Sequence, residues 1–149
     1  MYIFTLEPLL KQRKHIEDAR QKELAAIQDQ YNTRQKALQY LIATRERCST
    51  RLQRIGAEGA RVSEYRLYSE YFKRLSIEAY EMEQALERLE ENLAAKREEV
   101  VEAMKGRKIL ENLKEKGLHA YRDRMRRQEM KSADETAISL FNRQQSGPR

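Results

Sequence analysis

The chain has 149 residues, of which 36% are charged, with a mean hydropathy of −0.93 and a formal net charge of +6. That is length for one domain, but the composition is too polar for an ordinary globular core, and five Gly, two Pro and no Trp leave little material for a turn-rich β fold. The excess of Ala, Glu, Lys, Leu, Arg and Gln favours long helices that meet along a narrow apolar seam.

The first predicted element is a helix over about 5–55. Thr5 suits a cap, Glu7 favours the positive helix end, and Pro8 is tolerated in the first turn. From Leu24 the apolar residues recur as Leu24, Tyr31, Leu38, Arg45 and Leu52, with Ile27, Arg34, Leu41, Cys48 and Ile55 as companions. Only the two arginines interrupt that 3-4 spacing. Leu6 and Leu10 are in phase with it, whereas Leu9 and Ile16 sit one position off, which predicts a local stutter.

A turn is expected over 56–63, Gly56-Ala57-Glu58-Gly59-Ala60-Arg61-Val62-Ser63. Two glycines fall where the heptad signal lapses, and Ser63 can cap the second helix.

The second predicted helix, about 64–141, has the cleaner stripe. Tyr65, Phe72, Ala79, Leu86, Leu93, Val100 and Arg107 alternate with Tyr68, Leu75, Met82, Leu89, Lys96, Ala103 and Leu110, and only Arg107 and Lys96 are not apolar. Such a 3-4 repeat over seven heptads gives a helix with one partner seam. The two stripes are expected to fold back on each other, so the predicted fold class is all-α: an antiparallel coiled-coil hairpin with the second helix longer. It forms one coiled-coil domain over 1–143, with a disordered tail at 144–149.

Seam partners whose numbers sum to 120 would pair Ile55 with Tyr65, Cys48 with Phe72, Leu41 with Ala79, Ile27 with Leu93 and Leu10 with Leu110, centring the turn on Ala60. At 1.5 Å per residue the helices would span about 75 and about 120 Å, so the second would overshoot after Glu115. Gly117 weakens that overhang by about 1 kcal/mol relative to Ala. The expected molecule is a rod with a hairpin tip and a basic base.

Charge follows this layout. Residues 78–102 carry three Lys/Arg against nine Asp/Glu, and residues 105–131 carry ten against four. An acidic stretch followed by a basic one on the same helix suggests a docking end.

No stretch reaches the ~18 consecutive apolar residues of a membrane span, and the start, Met1-Tyr2-Ile3-Phe4-Thr5-Leu6-Glu7-Pro8, lacks the pattern of a signal peptide. A cytoplasmic protein is expected, touching a membrane only through partners. The single Cys48 has no disulfide partner within the chain and falls on the seam, where it serves as a small apolar side chain. His15 and His119 lack further ligands at metal-binding spacing, and the glycines are scattered, with no phosphate loop. No catalytic, cofactor-binding or metal residues are expected, and the chain is read as a non-enzyme.

Two features rise above this background. Tyr65, Tyr68, Tyr71, Phe72 and Tyr80 crowd near the expected tip, some on the seam and some off it. The segment Tyr121-Arg122-Asp123-Arg124-Met125-Arg126-Arg127 distributes basic groups round an unpaired helix, which suits an acidic socket. Phosphates could also accept such a helix, but no groove-reading or base-stacking motif accompanies it, so no nucleic-acid partner is expected.

Three segments carry a family resemblance. Phe4-Thr5-Leu6-Glu7-Pro8-Leu9-Leu10-Lys11-Gln12-Arg13 resembles a Phe-x-Leu-x-x-Leu-Leu-x-x-Arg start. Arg107-Lys108-Ile109-Leu110-Glu111-Asn112-Leu113-Lys114-Glu115-Lys116, followed by Tyr121-Arg122, is similar to an Arg-Lys-x-Leu-Glu-x-Leu-Lys-Glu run. Gln128-Glu129-Met130-Lys131-Ser132-Ala133-Asp134-Glu135 resembles a Glu-x-Lys-x-x-Asp-Glu ending. In order and spacing these are similar to the FliJ family, coiled-coil components of the bacterial flagellar type III export apparatus.

The resemblance implies a stalk that promotes assembly of the hexameric export ATPase, FliI, and couples it to export. It also implies contact with the export gate protein FlhA, escort of free export chaperones in some members, and peripheral association with the inner-membrane apparatus. It would assign Arg107, Lys108, Arg122, Arg124, Arg126 and Arg127 to the ATPase, and Tyr68, Tyr71, Phe72, Leu75 and Ala79 to the gate. No cofactor is implied. The equivalent stalk of an injectisome type III system and a general coiled-coil scaffold stay open as alternatives.

Overall fold

In a computed structural model, residues 1–59 and 61–145 are described. They form two helices, α1 (Glu7–Glu58) and α2 (Val62–Gln145), which make a helical hairpin with the second arm longer. The described residues divide into two compact units, one of Met1–Ile16 with Ala103–Arg149 and one of Glu17–Glu102.

The unit of Glu17–Glu102 contains the turn. Its core is Cys48 and Ile55 from α1 against Leu75, Ala79, Leu86 and Leu93 from α2, all on predicted seam positions. Tyr65 is the one seam residue of α2 in this unit left exposed among the apolar set, in the first turn of α2 beside the chain reversal. The polar seam residue Lys96 is accommodated by ion pairing: its Nζ lies 3.0 Å from Glu23 and 3.1 Å from Glu99, while Arg20 bridges the same two carboxylates at 3.1 and 3.3 Å. Its aliphatic stem covers the seam while its ammonium reaches the carboxylates at the edge.

The chain does not turn at both glycines. α1 continues through Gly56, and Gly59 alone takes a positive φ, 68°, the left-handed conformation that ends a helix at little cost only for glycine. α2 begins at Val62, one residue before the expected cap. The Arg61 carbonyl accepts hydrogen bonds from the Glu64 and Tyr65 amides, so Ser63 already lies in the first turn. The expected turn centre, Ala60, lies outside the described residues. Of the tail expected to be disordered, Gln144 and Gln145 are helical, and residues 146–149 lie outside the description.

The unit of Met1–Ile16 with Ala103–Arg149 packs Leu10 with Ala103 and Leu110 as its buried residues. Glu7 opens α1, its amide donating to the Phe4 carbonyl at 3.1 Å. The stutter expected near Leu9 and Ile16 does not occur. Leu10 is 2% exposed and Glu17, seven residues on, is 7% exposed, whereas Leu9 and Ile16 lie on the rim at 38% and 36%. The phase of Leu24 and Tyr31 therefore runs back through a glutamate, whose Oε1 accepts from Gln21 Nε2. Pairs within each unit follow the expected register to within about a helical turn: Lys96 with Glu23, Arg20 with Glu99, Lys114 with Glu7, and Arg13 across Gly106.

Candidate functional site

The basic stretch of α2 is built on a helix whose root is clamped. Lys114 donates to Glu7 at 2.6 Å, and Lys14 lies 3.7 Å from Glu111. Glu111 also receives Arg107 from one turn back. Hydrogen bonds from these cations hold the Glu7 and Glu111 carboxyls below the usual carboxylate range, because they favour the ionised form.

One turn further on, Tyr2 of the N-terminal segment lies over Gly117 and tilts against Tyr121, with ring centroids 5.8 Å apart. The terminal ammonium of Met1 donates to the Tyr121 hydroxyl at 2.9 Å. Beyond Tyr121 every described residue of α2 is exposed.

The six cations expected to face an ATPase are thus in two settings. Arg107 is half-buried and engaged with Glu111, so it belongs to the packed root. Lys108 is exposed beside it. Arg122, Arg124, Arg126 and Arg127 are fully displayed, and none of them forms an ion pair among the described residues. At 100° per residue these four guanidinium groups point to at least three sides of the helix. A partner could therefore meet positive charge by surrounding the helix.

The aromatic set lies in the other unit. Tyr71 is 42% exposed, Tyr68 and Phe72 are half-buried, and Leu75 and Ala79 are packed inside at 4% and 1%. Leu75 and Ala79 therefore reach no partner while the hairpin is closed; they support the surface from beneath. The exposed surface is a shallow groove of about 340 Å³ lined by Leu67, Tyr68, Glu70, Tyr71 and Arg74. Leu67, 66% exposed, belongs to it and was not singled out in the sequence, because it falls outside the seam pattern.

Behind this face the Arg51 guanidinium sits 5.9 Å from the Tyr68 ring and 3.6 Å from Glu64. Cys48 donates its thiol to the Tyr68 carbonyl at 3.4 Å, and burial pushes that thiol up. A protonated, enclosed thiol is a packing group.

Residues 2–146 match the family described as Flagellar FliJ protein. The chain belongs to the FliJ family. No curated protein and no solved structure matches it. Membership makes it a protein of flagellar export, as the three sequence segments suggested, and the hairpin with a longer second arm agrees with the expected fold.

No group of His, Cys, Asp and Glu among the described residues is placed to hold a metal ion, and no helix there is long and apolar enough to cross a membrane. The sequence reading missed the clasp of Tyr2, Gly117 and Tyr121. Its only signal was a glycine one turn before a tyrosine, where a helix of otherwise strong formers had no local reason to weaken.

Proposed function

We propose that this FliJ-family chain is a non-enzymatic stalk of the flagellar export apparatus, gripping the hexameric export ATPase by the basic stretch of α2 and promoting its assembly and coupling to export. The observation that carries this reading is the set of four arginines, Arg122, Arg124, Arg126 and Arg127, displayed round an unaccompanied stretch of helix without anionic partners among the described residues. Cations left unpaired by their own fold retain their full attraction for an acidic partner, and groups on several sides suit a ring better than a flat surface. Lys108 adds to the same field, while Arg107 fixes the root.

The groove of Leu67, Tyr68, Tyr71 and Arg74, with Phe72 behind it, is the surface for the export gate protein. Exposed aromatics beside an arginine are the residue types that anchor interfaces. Escort of free export chaperones and a position on the cytoplasmic side of the inner membrane, held there by these partners, belong to the same reading. The injectisome alternative has less support, because the matching family is the flagellar one.

The test is charge reversal, Arg124→Glu with Arg127→Glu, measured by calorimetry or pull-down against the cognate ATPase with helicity followed by circular dichroism. Loss of binding with unchanged helicity is expected. Binding retained at wild-type affinity would refute the assignment of this surface.

A further inference from the structure

The packed root of the basic stretch ends in an arrangement that helix pairing alone does not require. Before Glu7 the N-terminal segment is not helical, yet Tyr2 returns to α2 and lies over Gly117. A Cβ at 117 would overlap the Tyr2 hydroxyl and come within 3.0 Å of its Cζ. Glycine there is the vacancy in which the phenol sits. The same ring meets Tyr121 at an interplanar angle of 42°. Neither tyrosine is exposed, although both are flanked by exposed residues. A helix former at 117 would strengthen α2 locally by about 1 kcal/mol, so the glycine trades propensity for a docking place.

The clasp closes one residue before Arg122. Most helical stability in proteins comes from packing of one face, and the stretch from Arg122 to Gln145 is exposed throughout. Its direction and the order of its first turns are inherited from the last point at which α2 is held. With Tyr2 in place that point is Tyr121. Without it only the Met1 ammonium still reaches Tyr121, and the last contact between side chains falls back to Lys114 with Glu7, about two turns earlier.

We infer that Tyr2, seated over Gly117 and tilted against Tyr121, is a positioning residue that holds the root of the basic stretch in line and so sets its grip on the partner. This rests on the ATPase reading above. The four arginines supply the attraction, and the clasp reduces the disorder that must be lost when they engage together.

The experiment uses the full chain and the cognate export ATPase in titration calorimetry, with Tyr2→Ala, Tyr2→Phe, Gly117→Ala and the double variant Tyr2→Ala/Gly117→Ala. Tyr2→Ala and Gly117→Ala should each weaken binding by about threefold to tenfold, the range an aromatic contact of this kind contributes. The double variant should be no worse than either single one, because both break the same contact. Tyr2→Phe, which keeps the ring, should bind like the wild type. A role confined to helix stability gives a different pattern, since Gly117→Ala would then tighten or leave binding unchanged.

Equal affinity of Tyr2→Ala and the wild type, or losses that add in the double variant, would overturn the inference while leaving the ATPase reading intact. A second readout does not involve the ATPase. A nitroxide at position 124, in a Cys48→Ala background, should become more mobile in Tyr2→Ala. Unchanged mobility overturns the inference as well. If the wild type fails to bind the ATPase, the functional reading falls and the inferred grip falls with it, whatever the nitroxide reports.

Discussion

Leu93→Ala tests whether the hairpin is held by its seam. Leu93 is 3% exposed, between Leu86 at 8% and the charged cluster round Lys96. In closed globular cores such a truncation costs about 2.7–5.0 kcal/mol, the sum of a transfer term and a cavity term. A two-helix seam has open flanks, and no large side chain among the described residues is completely enclosed. Neighbours or water can close over the gap, so the cavity term shrinks and the transfer term, about 2–3 kcal/mol, remains. For a chain of this size that corresponds to a fall in Tm of about 5–10 °C.

The assay is thermal unfolding by circular dichroism at about 222 nm, the helix band, repeated over a roughly tenfold range of protein concentration. Leu113→Ala is the control, because Leu113 is 47% exposed and should cost well under half as much. Equal losses for the two variants would mean that the seam is not the source of stability. A Tm that rises with concentration would mean that separate chains associate in place of the two arms.

The two glycines of the turn should respond with opposite signs. Gly59→Ala places a side chain at a φ of 68° and should cost about 1 kcal/mol, whereas Gly56→Ala, in open helical space, should gain up to about 1 kcal/mol. Denaturant titration of both variants would show it. Glu7, Glu23 and Glu111 have carboxyls held below their ordinary range by hydrogen bonds, from Lys114, Lys96 and Arg107 respectively. Their contribution is therefore complete above the unfolded carboxylate range and lost as pH falls through the lower, folded values. Tm should stay level from about pH 7 to about pH 5 and decline below the carboxylate range, by modest amounts because all three groups are at the surface. Glu7→Gln should flatten part of that decline.

Much of the fold was legible because a repeated 3-4 spacing of apolar residues has one economical solution, a helix that hides one edge. Leu75, Leu86, Leu93 and Leu110 were placed on that edge by counting, and all are buried. Counting could not say which of Gly56 and Gly59 ends α1, since either relieves the same backbone constraint. Keeping Ile55 within a continuous helix, where it is 3% exposed, accompanies the choice of Gly59. Counting also put a stutter where Glu17 is buried, because a hydrophobic pattern has no term for a carboxylate satisfied by its neighbours.

The candidate site divides along the same line. The four displayed arginines were visible as a basic cluster with Asp123 set among them, and the structure added that they form no ion pair among the described residues. The burial of Leu75 and Ala79 beneath the aromatic groove followed from the seam once it closed. Pattern by itself determined that two amphipathic helices must meet and where charge accumulates, since both are properties of neighbours along one helix. Only the tertiary structure decided that Tyr2 settles over Gly117, because that contact joins residues far apart in the chain and depends on a missing side chain, which leaves no periodic trace.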